Sequence, residues 1–290
     1  MNKILTSLLW LLIAACTTAN EKQNFTVKNG NVNIAYAKKG KGDTALVFVH
    51  GWCINKEYWQ KQIDHFSKKY TVVALDIGGH GESGHNRNSW TIDDFAGDVI
   101  AVIDSLRLNK VILVGHSMGG EIVLDAVSKI PGKVIGLVGI DNFKNVSSSF
   151  TQEQMQQINA FIDAMRKNYK QVAVAYSRNA LFPRNYADTV SVNRVLNDIR
   201  KMDSVVSIAA LQSEIDFLQK ETVLLSQLQL PLHLIVSDYT PVQQDSLSKY
   251  CKAGYFIKTI HGTGHYPMIE KPDEFNRLFD ETIADISKGH

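Results

Sequence analysis

The sequence predicts an α/β fold: a mostly parallel, doubly wound sheet with a helical cap inserted into it. Three observations predict it. Short apolar runs alternate with amphipathic helical stretches up to about residue 141, the alternation stops between residues 142 and 230, and it then resumes to the end of the chain. Strands that alternate with helices lie parallel, covered on both faces and joined by right-handed crossovers.

The start of the chain stands apart. Met1-Asn2-Lys3 is positive, Ile4 to Ala15 is mostly apolar, and small residues follow. That is the pattern of a secretory signal peptide, and the run is short for a membrane span. Ile13-Ala14-Ala15-Cys16 resembles a bacterial lipobox. The resemblance implies cleavage before Cys16, a lipid anchor on its sulfur, and an exported protein of the bacterial cell envelope. The alternative is cleavage after Ala19 with Cys16 discarded. Residues 1–19 are therefore signal and tether, and Asn20 to Asn24 continues the tether.

Val32 to Tyr36 alternates as an edge strand should. Ala45 to Val49 is apolar throughout, as expected of a strand buried on both faces. A helix follows at Lys56 to Phe66, a strand at Thr71 to Leu75, and a turn-rich loop at Asp76 to Gly84. Then come a helix at Ile92 to Leu106, a strand at Val111 to Val114, a helix at Ser117 to Lys129 and a strand at Val134 to Ile140. Gln152 to Lys167, Tyr186 to Lys201 and Val206 to Leu218 form the cap helices. A strand at Leu232 to Val236, a helix at Val242 to Cys251, a strand at Tyr255 to Ile260 and a helix at Pro272 to Ser287 close the core. Pro272 suits the first turn of its helix. The core thus spans 25–141 and 231–290, and the cap 142–230.

At 290 residues, 44% hydrophobic and a formal charge of +2, the chain can bury one large core and carries no electrostatic footprint for nucleic acid. Beyond Cys16 only Cys53 and Cys251 remain. Two cysteines make no disulfide framework, although one bridge between them stays open, and no zinc-type spacing occurs.

Gly115-His116-Ser117-Met118-Gly119 fits G-x-S-x-G. By composition such a pattern arises by chance in roughly one chain in ten of this length. Its context is what makes it specific: a strand ends on it and a helix begins at once, as a nucleophile elbow requires. A serine in so sharp a turn takes a backbone conformation costing about 1–3 kcal/mol. Glycines at either side let the strand and helix ends approach. The strain exposes the Ser117 hydroxyl, and the helix N-terminus beneath it favours developing negative charge. A serine needs a base, and His265, in the Gly-rich loop Gly262-Thr263-Gly264-His265 after the last strand, is the candidate. His261 is its nearest rival, while His50, His80 and His116 sit in loop motifs that suit structural hydrogen bonding. An oxyanion hole needs two aimed backbone N–H groups. Met118 supplies one, and the loop His50-Gly51-Trp52-Cys53 the other, through Trp52.

His50-Gly51-Trp52, the Ser117 elbow with Gly120, and Gly264-His265 together resemble the α/β-hydrolase superfamily. Asp76-Ile77-Gly78-Gly79-His80-Gly81-Glu82-Ser83 matches another hallmark loop of that family. The resemblance covers about Val32 to Ser287. It implies a Ser-acid-His order and an acid beyond a strand's carboxyl end. Two residues qualify. Asp238 follows the strand after which the family most often places its acid, but Thr240 holds the position that matches. Asp141 ends Val134 to Ile140, the strand from which some relatives draw theirs, and is preferred, with Asp238 as the alternative.

The expected function is a serine hydrolase of small carboxylic esters working through an acyl-enzyme, with no metal or organic cofactor. A lactonase, amidase, carbon–carbon hydrolase or perhydrolase would keep the same triad. Cap aromatics such as Phe161, Phe182 and Tyr186 are candidates for pocket wall or cap core. The rival from another class is a surface protein that binds a ligand without turnover.

Overall fold

The computed structural model describes residues 23–147 and 149–288. The expected signal sequence and Cys16 lie outside the described residues. The strands are β1 (Gln23–Asn29), β2 (Val32–Lys39), β3 (Ala45–Val49), β4 (Thr71–Leu75), β5 (Val111–His116), β6 (Val134–Ile140), β7 (Leu232–Ser237) and β8 (Tyr255–Ile260). They form one sheet in the order β1-β2-β4-β3-β5-β6-β7-β8. From β4 to β8 every neighbouring pair is parallel, and β1 and β2 pair antiparallel at one edge. Every residue of β3 and β4 is buried, which explains their unbroken apolar sequences.

The helices of the core are α1 (Gln60–Phe66), α2 (Ile92–Ser105), α3 (Met118–Lys129), α8 (Gln244–Tyr250), α9 (Pro267–Glu270) and α10 (Pro272–Lys288). A 3₁₀ turn at Lys56–Trp59 leads into α1. Thr91 and Asp94 form a reciprocal capping box at the start of α2. Between β6 and β7 lie α4 (Gln152–Lys167), α5 (Tyr169–Ala180), α6 (Thr189–Lys201) and α7 (Ser204–Gln227).

Three expectations change. The stretch read as tether enters the sheet: β1 begins at Gln23 and is the true edge, which leaves β2 internal between β1 and β4. Most of β1 is exposed, only Phe25-Thr26-Val27-Lys28 alternates, and the strand is held by its register on β2 and by Phe25 stacked on Tyr36. Helix α5 joins the inserted block; its Val172-Ala173-Val174-Ala175 alternates like a strand while its buried residues Tyr169, Ala173 and Ser177 recur at helical spacing. Helix α7 runs nine residues past the expected Leu218, to Gln227.

Candidate active site

Strand β5 lies between β3 and β6, in the middle of the sheet, and Ser117 is the residue at which it turns into α3. Ser117 has φ 53° and ψ −130°, a region that L-residues occupy only under constraint, at about 1–3 kcal/mol. The constraint is visible around it. A Cβ on Gly119 would stand 2.6 Å from the Val49 carbonyl oxygen, and one on Gly115 would overlap the Gly119 carbonyl. Ser117 N donates to Ile140 O at 3.0 Å, and Asn142 Nδ2 donates to Ser117 O, so β6 and the loop after it hold the elbow from the side.

The loop after β3 packs directly on this turn. A Cβ on Gly51 would stand 2.9 Å from Ser117 Cβ. Trp52 follows, its indole Nε1 donating to Ser207 O of α7 at 2.9 Å, and Cys53 has φ 59°. Met118 opens α3, where the first backbone N–H groups have no partner within the helix. Trp52 thus follows the residue that packs on Ser117, and Met118 follows Ser117 itself.

His265 Nδ1 donates to Asp141 Oδ2 at 2.6 Å. Asp141 leaves β6 with φ 47°. Its other oxygen accepts from Ser237 N at 2.8 Å and Ser237 Oγ at 2.6 Å, and pairs with Lys144 Nζ at 2.6 Å. Burial alone would raise the pKa of this carboxyl. The His265 hydrogen bond and charge, with Lys144, outweigh burial and lower it to about 2. Asp141 is therefore ionised across the physiological range and fixes the histidine as an Nδ1–H donor with Nε2 free.

The loop that carries His265 is itself bracketed. Its backbone N donates to Leu181 O at 2.9 Å, and its carbonyl accepts from His116 Nε2 at 2.7 Å. Glu270 accepts from Gly264 N at 2.5 Å, from Tyr266 N at 2.7 Å and from the Tyr186 hydroxyl. No hydrogen bond joins Ser117 Oγ to His265 among the described residues, yet both line one cavity of about 380 Å³. Such contacts are often loose before substrate arrives.

Asp238 is placed elsewhere. Its carboxylate accepts from His261 Nδ1 at 2.9 Å and Gly262 N at 3.0 Å, on the surface. Thr240 Oγ1 instead accepts from Lys144 Nζ at 2.9 Å. His50, His80 and His116 are buried, and burial lowers their pKa values, to about 4 for His50 and about 3 for His80 and His116. They are neutral, hydrogen-bonded parts of the loop framework.

Asn142, Lys144 and Glu270 support the site and carry no sequence pattern that singles them out. Phe182 stacks on Tyr266 and Tyr186, and Phe161 packs on Tyr176; none of these expected cap aromatics lines the cavity. Cys53 and Cys251 are both free and buried. Among the described residues no group of three His, Cys, Asp or Glu could hold a metal ion.

Known proteins share this architecture. A model of the alpha/beta hydrolase fold family matches residues 44–272. The chain is 25% identical over 248 residues to the Karrikin insensitive 2 receptor CA of Petunia hybrida, covering 81% of this chain and 89% of that one. It is 33% identical over 124 residues to the dihydrolipoyllysine-residue acetyltransferase component of the acetoin cleaving system of Cupriavidus necator, which covers 42% of this chain; the matched part spans 33% of that relative's length. Among solved structures, a thermophilic esterase from Thermogutta terrifontis superposes with a TM-score of 0.78 at 18% identity, covering 92% of this chain and 99% of the other. At that identity the likeness is one of fold.

Proposed function

This chain belongs to the alpha/beta hydrolase fold family, and on that premise we propose that it is a serine hydrolase of carboxylic esters. One observation carries the reading: a strained serine at a strand-to-helix elbow opens into the same cavity as a histidine whose other ring nitrogen is held by a buried, ionised aspartate.

In this reading Ser117 Oγ attacks the acyl carbonyl while His265 Nε2 takes its proton. The backbone N–H groups of Trp52 and Met118 receive the oxyanion. His265 then returns the proton to the leaving alkoxide, the carbonyl re-forms, and the C–O bond breaks to leave an acylated Ser117. Water, deprotonated by the same nitrogen, attacks that acyl group; the acyl–Oγ bond breaks, His265 returns the proton to Ser117 Oγ, and the acid leaves. Asp141 stays ionised throughout, holding the tautomer and stabilising the imidazolium.

Intact-mass detection of fluorophosphonate labelling tests this, with wild type beside Ser117→Ala. One adduct on wild type and none on the variant is expected. A correctly folded wild type that takes no adduct overturns the reading in favour of a ligand-binding protein without turnover. The N-terminal pattern adds a second proposal, that the protein is exported and anchored in the cell envelope by lipid on Cys16. Incorporation of labelled palmitate in bacteria, lost in Cys16→Ser, tests it.

A further inference from the structure

The cavity that Ser117 and His265 share has an unusual wall. Three glutamates line it: Glu121 from α3, and Glu214 and Glu221 from α7. On α7 the two glutamates lie on one stripe with Leu211, Ile215 and Leu218, all facing the cavity. Apolar residues hold that helical face elsewhere, so two carboxyls there are costly unless something pairs with them. Glu121 lies in the first turn of α3, four residues after Ser117, and lines the same cavity.

Glu221 is 6% exposed and has neither a side-chain hydrogen bond nor an ion pair among the described residues. Glu121 accepts one side-chain bond, from Asn142 Nδ2 at 3.0 Å. The nearby cations are committed elsewhere. Lys144, the one lysine lining the cavity, is taken up by Asp141, Ser237 and Thr240. Lys220, on α7 itself, pairs with Asp93 and Asp125. Asp141, Lys144 and His265 form one balanced group, and among the described residues the glutamates have no counter-charge of their own. Burial, first, and their mutual repulsion raise the pKa values of Glu121 and Glu221; burial also raises that of Glu214, which His265 lowers in part. Tyr176 of α5 and Cys251 stand close enough for Glu214 and Glu221 to raise them further.

The carboxyls do not converge tightly enough for a metal ion. A larger, diffuse cation suits them better, and the aromatic residues Phe143 and Phe150 line the same wall. We propose that the cavity selects esters carrying an ammonium group a few bonds from the scissile carbonyl, held by Glu121, Glu214 and Glu221. The inference rests on the serine-hydrolase reading and deepens it by naming the substrate class.

Charge is then the selecting feature, and its pH dependence has a definite sign. A carboxyl with a raised pKa is protonated at lower pH and becomes an anion only as pH rises through that value. Affinity for a permanently charged ammonium therefore rises with pH, while affinity for a neutral ligand of the same shape does not.

The test is calorimetric binding to Ser117→Ala, which cannot be acylated, using two isosteric pairs. One pair is acetylcholine against 3,3-dimethylbutyl acetate; the other is the methyl esters of 4-(trimethylammonio)butyrate and 5,5-dimethylhexanoate. In at least one pair the cationic member is expected to bind tenfold or more tightly at pH 8.5 than its neutral twin. That preference should shrink severalfold at pH 6, and Glu214→Gln/Glu221→Gln should bring it within twofold. Equal binding of both members in both pairs, a preference for the neutral ones, or a preference that survives the glutamine substitutions overturns the proposal. If the double variant does not fold, a preference that stays constant from pH 6 to 8.5 overturns it instead. Fluorophosphonate labelling of wild type keeps the two readings apart: labelled Ser117 without cation preference defeats only the ammonium inference, and cation preference without labelling defeats only the hydrolase one.

Discussion

Beyond the carboxyl ends of β6 to β8 stand two aspartate–histidine pairs whose histidines are four residues apart in sequence. Asp141 meets His265 at 2.6 Å and Asp238 meets His261 at 2.9 Å. By distance alone they are near equals. They differ in what surrounds them. The Asp141 side chain is 1% exposed and carries Ser237 and Lys144 on its second oxygen, whereas the Asp238 and His261 side chains are 41% and 73% exposed. A charge pair in water holds neither partner firmly. A buried pair whose remaining lone pairs are filled fixes one tautomer and one ring orientation. The comparison teaches that the environment of a carboxylate, and not its proximity to an imidazole, separates the better candidate for a triad acid from the poorer one.

The largest expected effect breaks that asymmetry directly. Asp141→Ala should lower kcat on a short-chain aryl ester by about 10⁴, and Asp238→Ala should leave it within about twofold. Steady-state kinetics of both variants, each checked for native circular dichroism, decide the matter. A large loss in Asp238→Ala with Asp141→Ala near wild type would reverse the assignment.

Next in size is Lys144. Its ammonium joins the loop after β6 to the loop after β7 through Asp141, Ser237 and Thr240. Lys144→Gln should lower kcat roughly tenfold with KM changed less, because its ammonium is taken up by Asp141, Ser237 and Thr240 and its loss chiefly removes a positioning partner of the aspartate. It should also make the protein more acid-labile. The Asp141 pKa is about 2 in the folded state, against about 3.9 for an unfolded aspartate. A depressed folded value contributes stability above the unfolded pKa and loses it as pH falls from about 4 towards 2, an effect of about 2–3 kcal/mol. Removing Lys144 raises the folded value and shrinks that contribution, and Asp141→Asn removes it. Urea midpoints between pH 7 and pH 3 measure both. Midpoints that fall equally steeply in wild type and Asp141→Asn would show that other carboxylates carry the acid sensitivity.

The same contrast explains how much of the molecule is legible in its sequence. Steric demands leave residue patterns. The elbow writes itself as glycines at 115 and 119, and buried parallel strands as unbroken runs such as Ala45 to Val49. Ser117 and His265 are therefore legible from residue order alone as candidates. Electrostatic support leaves no such trace. Asn142, Lys144 and Glu270 are ordinary polar residues until the chain folds, and Glu214 and Glu221 sit in a helix whose apolar neighbours show only that this face is turned inward. The choice between Asp141 and Asp238 is open in the sequence for a related reason. Both follow strand ends, and the outcome depends on the positive φ at Asp141 and the path of the loop beyond. Edge strand β1 leaves only a short mark, the alternation Phe25-Thr26-Val27-Lys28, because the rest of the strand is polar and exposed.

The smallest expected effect sharpens the comparison from its other side. Asp238 accepts from His261 and from Gly262 N, three residues before His265. If that loop needed the surface pair, Asp238→Ala or His261→Ala would misplace the histidine. The loop is already fixed by Leu181, by His116 and twice by Glu270. Each single variant should therefore cost no more than about 0.5 kcal/mol, as exposed pairs do, and the difference from wild type should fade in 1 M salt. Thermal melts at low and high ionic strength read this out. A cost above about 2 kcal/mol that persists in salt would mean that the pair is part of the scaffold of the His265 loop. Burial would then not be the only route by which this sheet edge holds a histidine still.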